Sequence, residues 1–84
     1  MRFAVYLGYI AGCLTVASFV PQVIRAWRTK QTGALSVGTF VLIITAGVAW
    51  VTYGVLRRDT PVIVTNVGMI ALNCAILAAK LRFG

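Results

Sequence analysis

Three long apolar runs, separated by short polar stretches, make up most of the 84-residue chain. They cover residues 3–24, 37–56 and 61–79. Each run is close to the ~20 residues that a helix needs to cross the hydrocarbon core of a bilayer. The pattern predicts one all-α integral membrane domain, a three-transmembrane-helix bundle with helices over about 3–27, 36–57 and 60–81.

Polar residues and a proline mark where the second and third helices begin. Ser36 is predicted to cap the second helix and Thr60 the third, because a side-chain oxygen at this position accepts a free N–H of the first turn. Pro61 then follows at the first helical position, where its missing N–H does no harm. The connections are residues 28–36 and the very tight 57–59.

Composition identifies lipid as the natural solvent of this chain. It is 61% hydrophobic and only 11% charged, with mean hydropathy +0.96, whereas soluble chains are roughly 45–50% apolar and about 25% charged. Eight basic residues and one acid give a net charge of +7. The basic residues lie at the edges of the apolar runs and form no patch interleaved with aromatic residues, so membrane anchoring is predicted rather than nucleic-acid binding.

The distribution of basic residues predicts an orientation. One end of the three helices carries Arg25, Arg28, Lys30, Lys80 and Arg82, and the other carries Arg2, Arg57 and Arg58. Cytoplasmic loops carry an excess of Lys and Arg. We therefore expect a multi-pass protein of the inner (plasma) membrane, with its N-terminus outside and its C-terminus in the cytoplasm.

The residue types that catalysis, metal binding or proton coupling would need are missing from the apolar runs. The sequence has no His, Cys13 and Cys74 form no CxxC pair, and the single acid, Asp59, lies in a connection. No metal or cofactor site and no nucleophile–base pair can be assembled, which predicts that the chain is not an enzyme. Proton-coupled transporters usually relay protons through membrane acids, so a facilitator is expected.

A tryptophan and an asparagine form a candidate solute site. Trp50 lies about 9 Å from the outer end of the second helix, and Asn66 about 7.5 Å into the third. An indole can cover the apolar face of a sugar, and an amide can donate to one hydroxyl and accept from its neighbour. Three helices enclose no lumen, so a solute path requires at least a dimer.

Structural interpretations of the same residues stay open. Trp50 belongs to an aromatic stripe that also contains Phe40, Ile43, Gly47, Tyr53 and Arg57. Such a stripe can also be packing or an interfacial belt. Asn66 and Asn73, seven residues apart on one face, can also form interhelical hydrogen bonds.

Several features together resemble the PQ-loop family, and within it the bacterial SemiSWEET sugar transporters. They are Pro21-Gln22 followed by basic residues, the Lys-x-Thr-Gly-x-Leu-Ser run over 30–36, the chain length, Trp50 and Asn66. The resemblance implies a parallel homodimer of six helices with the path along its two-fold axis. It also implies alternating-access uniport of a neutral mono- or disaccharide, so the expected partners are the sugar, a second copy and the bilayer.

The resemblance also assigns residues to the pocket and the gates. Trp50 and Asn66 match the family's pocket pair, and the spacing of Tyr53, Arg57 and Asp59 matches its outer gate. Arg57 of one protomer would then pair with Asp59 of the other. Phe40 and Ile43 are candidates for an inner gate, although packing explains them equally well.

Pro21 interrupts the first apolar run and predicts an inner hinge. A proline inside a helix removes one backbone hydrogen bond, here to the carbonyl of Ala17. Ser18 and Gln22 lie near that turn and can solvate it, and whether Thr15 and Ser18 line the path stays open. The alternative is a helix that ends early at the membrane surface, with Pro21 near its last turn.

Two other functions stay open from the sequence alone. A PQ-loop transporter of another small solute, such as an amino acid, would keep the fold and change the cargo. A small membrane subunit of a larger complex would leave the matching depth of Trp50 and Asn66 unexplained.

Overall fold

The computed structural model describes residues 2–84 and contains three helices. They are α1 (Arg2–Thr29), α2 (Val37–Arg57) and α3 (Thr60–Phe83). All three are long and apolar enough to cross a membrane, and no helix end lies more than two residues from its predicted position. We call the end that carries the α2–α3 connection the outer end, and the end that carries the α1–α2 connection the inner end.

The three helices form a single layer with α3 in the middle. Within residues 2–84, α1 and α2 both pack on α3 and not on each other. The arrangement is flattened, with extents of 45 × 21 × 14 Å along its principal axes. A layer of this kind has two broad faces and cannot by itself enclose a path.

Glycines set the close contact between α2 and α3. A Cβ placed on Gly47 would lie 2.7 Å from Ile70 Cγ1, and one on Gly54 would lie 2.9 Å from Ile63 Cγ1. Small residues of this kind let membrane helices approach closely. The two contacts also fix the antiparallel register, in which each residue forward along α2 matches one residue backward along α3.

Gly12 plays the same part between α1 and α3. The space that its side chain would need is filled by Thr65. Gly8 meets Pro61 one turn earlier, and Val16 meets Gly68 one turn later. Since both sequence numbers increase together along these contacts, α1 and α3 run parallel.

The helix caps agree with prediction for α2 and differ for α3. The Ser36 hydroxyl accepts a hydrogen bond from the Thr39 N–H at 3.3 Å. The N-cap of α3 is Asp59 rather than Thr60, and its carboxylate accepts from the Val62 N–H at 3.3 Å. The short connection between α2 and α3 explains the difference. Arg58 alone makes the turn, with its backbone in the left-handed region at φ 55°. Asp59 follows directly and therefore occupies the N-cap position.

α1 continues through Pro21 for two further turns, to Thr29. Pro21 therefore does not lie in the last turn, as the early-ending alternative would require. The Ser18 hydroxyl donates to the carbonyl of Thr15 at 2.6 Å, not to the Ala17 carbonyl that Pro21 leaves free. The backbone hydrogen bond that Pro21 cannot donate is thus missing from the interior of a continuous helix.

An aromatic cluster ties the inner ends of α1 and α3 together. The Trp27 indole N–H donates to the carbonyl of Ala75 at 3.0 Å. Its ring meets Phe83 edge-to-face, with centroids 5.4 Å apart. The Lys30 ammonium and the Arg82 guanidinium lie 5.7 and 5.8 Å from the centroid of Phe83, so aromatic packing and cation–π contacts reinforce each other here.

Candidate functional site

A cavity of about 650 Å³ opens at the outer end between α1 and α3. Its volume is within the usual range for small-molecule sites. Thr15 and Asn66 lie at its deep end, and Arg57 and Asp59 lie at its mouth. Its other lining residues include Gly8, Tyr9, Gly12, Pro61, Val62 and Thr65.

Asn66 has hydrogen-bonding capacity left for a ligand. The side chain is half-buried, and its Nδ2 donates to the carbonyl of Val62 at 2.9 Å. That bond lies within α3, so the interhelical hydrogen bond considered from the sequence is not formed. A side-chain amide has two N–H groups and one carbonyl oxygen, so one donor and the acceptor can still serve a solute in the cavity.

Trp50 lies at the depth of Asn66 but does not line the same cavity. The α2–α3 register brings Trp50 level with Val67, the residue next to Asn66. Trp50 is 53% exposed and meets Tyr53 edge-to-face at 5.5 Å between ring centroids. These two rings and Ala49 line a separate depression of about 370 Å³, so one protomer does not enclose the pair.

Helix geometry nevertheless turns both side chains toward one face of the layer. Successive side chains are rotated by about 100° around a helix axis. Counted in this way, Trp50 on α2 and Asn66 on α3 each point roughly 60° away from the side of their helix that contacts the other helix. Because the two helices run antiparallel, these offsets fall on the same side. We call this side the polar face, defined by Thr15, Gln22, Trp50, Asn66 and Asn73.

The polar face continues along α1 to the inner end. Polar side chains recur there at steps of three and four, at Thr15, Ser18, Gln22, Arg25 and Thr29. This spacing keeps them on one stripe of a helix. The stripe as a whole was not predicted, although its period is visible in the sequence.

The opposite face of the layer is apolar. Its exposed positions include Val41 and Val48 on α2 and Val64, Ala71 and Cys74 on α3. The hydroxyls of Thr45 and Thr52 donate to carbonyls of their own helix, at 2.8 and 2.9 Å, which lets both residues face lipid. Thr15 and Ser18 on the polar face make similar bonds within α1, so the two faces differ in their amide and charged side chains and not in their hydroxyls.

Asn73 is the fully buried member of the polar face. It is 0% exposed, and its Nδ2 donates to the Met69 carbonyl of its own helix at 2.8 Å. No partner for its Oδ1 is present among the described residues. The interhelical hydrogen bond considered for Asn73 is thus also not formed.

The residues predicted for the outer gate meet only in part. Arg57 and Asp59 both line the mouth of the outer cavity. Tyr53 lies with Trp50 on α2 and is 48% exposed. Asp59 is half-buried, in keeping with its role as the cap of α3.

The residues predicted for the inner gate and hinge are also divided. Gln22 lines a second cavity of about 470 Å³ at the inner end. Phe40 is half-buried, and Pro21 and Ile43 are exposed, and none of these three lines that cavity.

Tyr9 and Thr65 are cavity residues that sequence reasoning missed. The signal that points to them is the pair Gly8 and Gly12, four residues apart on α1. Small residues at this spacing mark a face where two membrane helices meet closely. Thr65 fills the space beside Gly12, and the outer cavity opens next to that contact.

Comparison with known proteins gives consistent matches along the whole chain. Residues 3–63 match the PQ-loop repeat family. The chain is 41% identical over 78 residues to the sugar transporter SemiSWEET of Leptospira biflexa, covering 93% of this chain and 92% of that protein. It is 32% identical to the sugar transporter SemiSWEET of Bradyrhizobium diazoefficiens, covering 93% and 91%.

A solved structure supports the same relationship at the level of the fold. The crystal structure of a bacterial homologue of SWEET transporters superposes with a TM-score of 0.93 at 30% sequence identity. The superposition covers 98% of this chain and 99% of that one. The arrangement of all three helices is therefore shared.

Proposed function

The chain belongs to the PQ-loop family, and we propose that it is a SemiSWEET-type sugar transporter that works as a parallel homodimer. The observation that carries the proposal is the contrast between the two faces of the layer. Polar residues from all three helices share one face, whereas the opposite face is apolar. A second copy placed across the polar face closes a path between two layers and leaves the apolar faces to lipid.

The dimer explains why one protomer holds an incomplete site. Trp50 and Asn66 lie at one depth and on one face, but in one layer they open onto separate cavities. Two copies related by a two-fold axis along the membrane normal bring both residues of both protomers around the axis. The two rings then cover the apolar faces of a sugar, and the two amides bind its hydroxyls.

The proposed cargo is a neutral mono- or disaccharide moved down its gradient. The pocket offers aromatic faces, amides and hydroxyls, and the acid in the sequence, Asp59, lies outside the spans. Coupling to protons usually requires titratable groups within the membrane. Transport is therefore uniport, and the chain does not convert its cargo chemically.

The two gates of the proposed alternating-access cycle lie at the two ends of the polar face. Arg57 of one protomer pairs with Asp59 of the other to close the outer mouth, with Tyr53 beneath them. At the inner end, α1 bends at Pro21, and Gln22, Phe40 and Ile43 form the inner gate. The charge distribution puts the N-terminus outside and the C-terminus in the cytoplasm, in the plasma membrane.

Uptake into liposomes tests the proposal. Purified protein is expected to admit a labelled sugar when the pH is equal on both sides, and a panel of sugars identifies the preferred one. Trp50→Ala and Asn66→Ala are each expected to abolish uptake, because each removes one element of the pocket. Thr52→Ala is the matched control, since Thr52 is exposed on the side of α2 opposite Trp50.

The outcomes separate the pocket assignment from the cargo. Normal uptake by Trp50→Ala protein would contradict the pocket. Uptake that appears only with an imposed pH difference would contradict uniport. Equal loss in Thr52→Ala would show that the variants act through folding.

A further inference from the structure

The inner cavity carries chemistry that a neutral sugar does not use. It lies between the last two turns of α1 and the α1–α2 connection, and has a volume of about 470 Å³. Gln22, Arg25 and Thr29 line it from α1, Gln31 and Leu35 from the connection, and Ile76 from α3. A guanidinium and two side-chain amides therefore converge on one hollow.

Local hydrogen bonds build this arrangement. The Thr29 hydroxyl donates to the carbonyl of Arg25 at 2.8 Å. The same oxygen accepts from the backbone N–H of Gln31 at 3.3 Å. This folds the connection back against α1, so that Gln31 lines the same cavity as Gln22 and Arg25.

No acidic side chain can neutralise Arg25 within its own protomer. Asp59 is the chain's single acid, and it lies at the outer end, separated from the inner end by the length of α3, about 36 Å. The inner end instead carries four more basic residues, namely Arg28, Lys30, Lys80 and Arg82. Their combined field raises the local concentration of anions.

We propose that the inner cavity binds a phosphate group, held by the Arg25 guanidinium and the amides of Gln22 and Gln31. Arg binds phosphate through parallel charge-assisted hydrogen bonds, and side-chain amides add neutral donors. The same chemistry suits a free phosphate ester in the cytoplasm and the headgroup of an anionic lipid. The site lies within one protomer and shares Gln22 with the proposed inner gate, so its test measures phosphate binding and not transport.

The test measures binding of inorganic phosphate to protein purified in uncharged detergent, by calorimetric titration at constant ionic strength with chloride as the reference anion. Wild-type protein is expected to bind phosphate saturably. Arg25→Gln is expected to weaken binding at least about tenfold, because it removes charge-assisted hydrogen bonds. Gln31→Ala, which leaves the charge unchanged, is expected to weaken it severalfold.

Arg28→Gln is the matched control. Arg28 is one turn further along α1, exposed, and outside the cavity, so this variant removes the same charge from the same end. Binding within about twofold of wild type is expected, because a surface charge outside the site contributes mainly screened attraction. Equal weakening by Arg28→Gln and Arg25→Gln would overturn the site, as would the absence of saturable binding above the chloride reference.

The same titration in lipid nanodiscs distinguishes the two sources of phosphate. If headgroups occupy the cavity, nanodiscs containing phosphatidylglycerol will suppress the titration that is seen in phosphatidylcholine nanodiscs, even at an ionic strength that screens the charge of the bilayer. If the natural ligand is soluble, the titration will persist in both lipids. Either result supports the cavity as a phosphate site and assigns its source.

Discussion

Asp59 combines a structural task with its proposed part in the outer gate. Its carboxylate accepts the Val62 N–H at the start of α3, where the helix dipole also favours a negative charge. The same side chain lies at the mouth of the outer cavity beside Arg57. The two tasks differ in what they need, since capping needs only an acceptor oxygen and the gate needs a charge.

Asp59→Asn and Asp59→Ala separate these tasks. Asn caps a helix about as well as Asp, so the free energy of unfolding of Asp59→Asn is expected to lie within a few tenths of a kcal/mol of the wild-type value. Asp59→Ala is expected to lose about 0.5–2 kcal/mol, because the N–H groups of the first turn lose their acceptor. Thermal unfolding in detergent measures both, and equal destabilisation by the two variants would contradict the capping role.

A double-mutant cycle on uptake tests the gate itself. If Arg57 and Asp59 pair across the dimer, Arg57→Gln combined with Asp59→Asn is expected to change the uptake rate no more than either single variant. Each exposed pair contributes only about 0–1 kcal/mol and the dimer has two such pairs, so the single variants should alter the rate by about 30-fold at most. Additive effects would show that the two residues do not interact.

Among the helices, α3 is the element on which the others depend. It holds α1 and α2 through close contacts at Gly12, Gly47 and Gly54, where an added methyl group meets a neighbouring side chain. These contacts also set the common depth of Trp50 and Asn66 in the layer. The helix-to-helix spacing is thus part of the proposed binding site.

Adding one methyl group at these contacts is expected to weaken the layer. Compared with Gly38→Ala, which gains the same helix propensity, Gly47→Ala should destabilise the protein by about 1–3 kcal/mol through overpacking against Ile70. Gly38→Ala is the control, because its Cβ would meet only Ser36 Oγ at 3.8 Å. The melting temperature and the rate of sugar uptake should both fall for Gly47→Ala and not for Gly38→Ala. A Gly47→Ala variant with an unchanged melting temperature would contradict the assigned packing.

α1 is the element proposed to move, and Pro21 is where it bends. Pro21→Ala restores a backbone hydrogen bond to the carbonyl of Ala17, which stabilises the straight helix by about 0.5–1.5 kcal/mol. Thermal stability is expected to rise and uptake to slow by up to about tenfold. Uptake at the wild-type rate would contradict the hinge.

At the scale of the whole molecule, the protomer exposes more surface than a compact chain of its mass. Its accessible surface is 5952 Å², against about 4,900 Å² expected for a soluble chain of 9.0 kDa. The excess follows from the single-layer arrangement, which buries only the two sides of α3 and one side of each neighbour. In the proposed dimer, lipid covers one of the two broad faces and a second copy faces the other.

The bounds of the helices and the depth of the proposed pocket residues could be predicted from the sequence, because both follow from counting residues along the chain. The length of each apolar run gives its span, and Trp50 and Asn66 are each a few residues from the same connection. The side-by-side arrangement, with α3 between α1 and α2, was not predictable in this way, since it depends on contacts such as that of Gly47 with Ile70. The N-cap of α3 is Asp59 and not the predicted Thr60, because both residue types cap well and only the geometry of the turn decides.

The most direct test of the shared path is uptake by mixed dimers. Wild-type protein and inactive Asn66→Ala protein, carrying different tags, are co-expressed in varying ratios and reconstituted at constant total protein. If one path lies between two copies and needs Asn66 from both, uptake will fall with the square of the wild-type fraction, to about one quarter at an equal mixture. A linear fall, to about one half at an equal mixture, would show that each protomer transports on its own and would contradict the account.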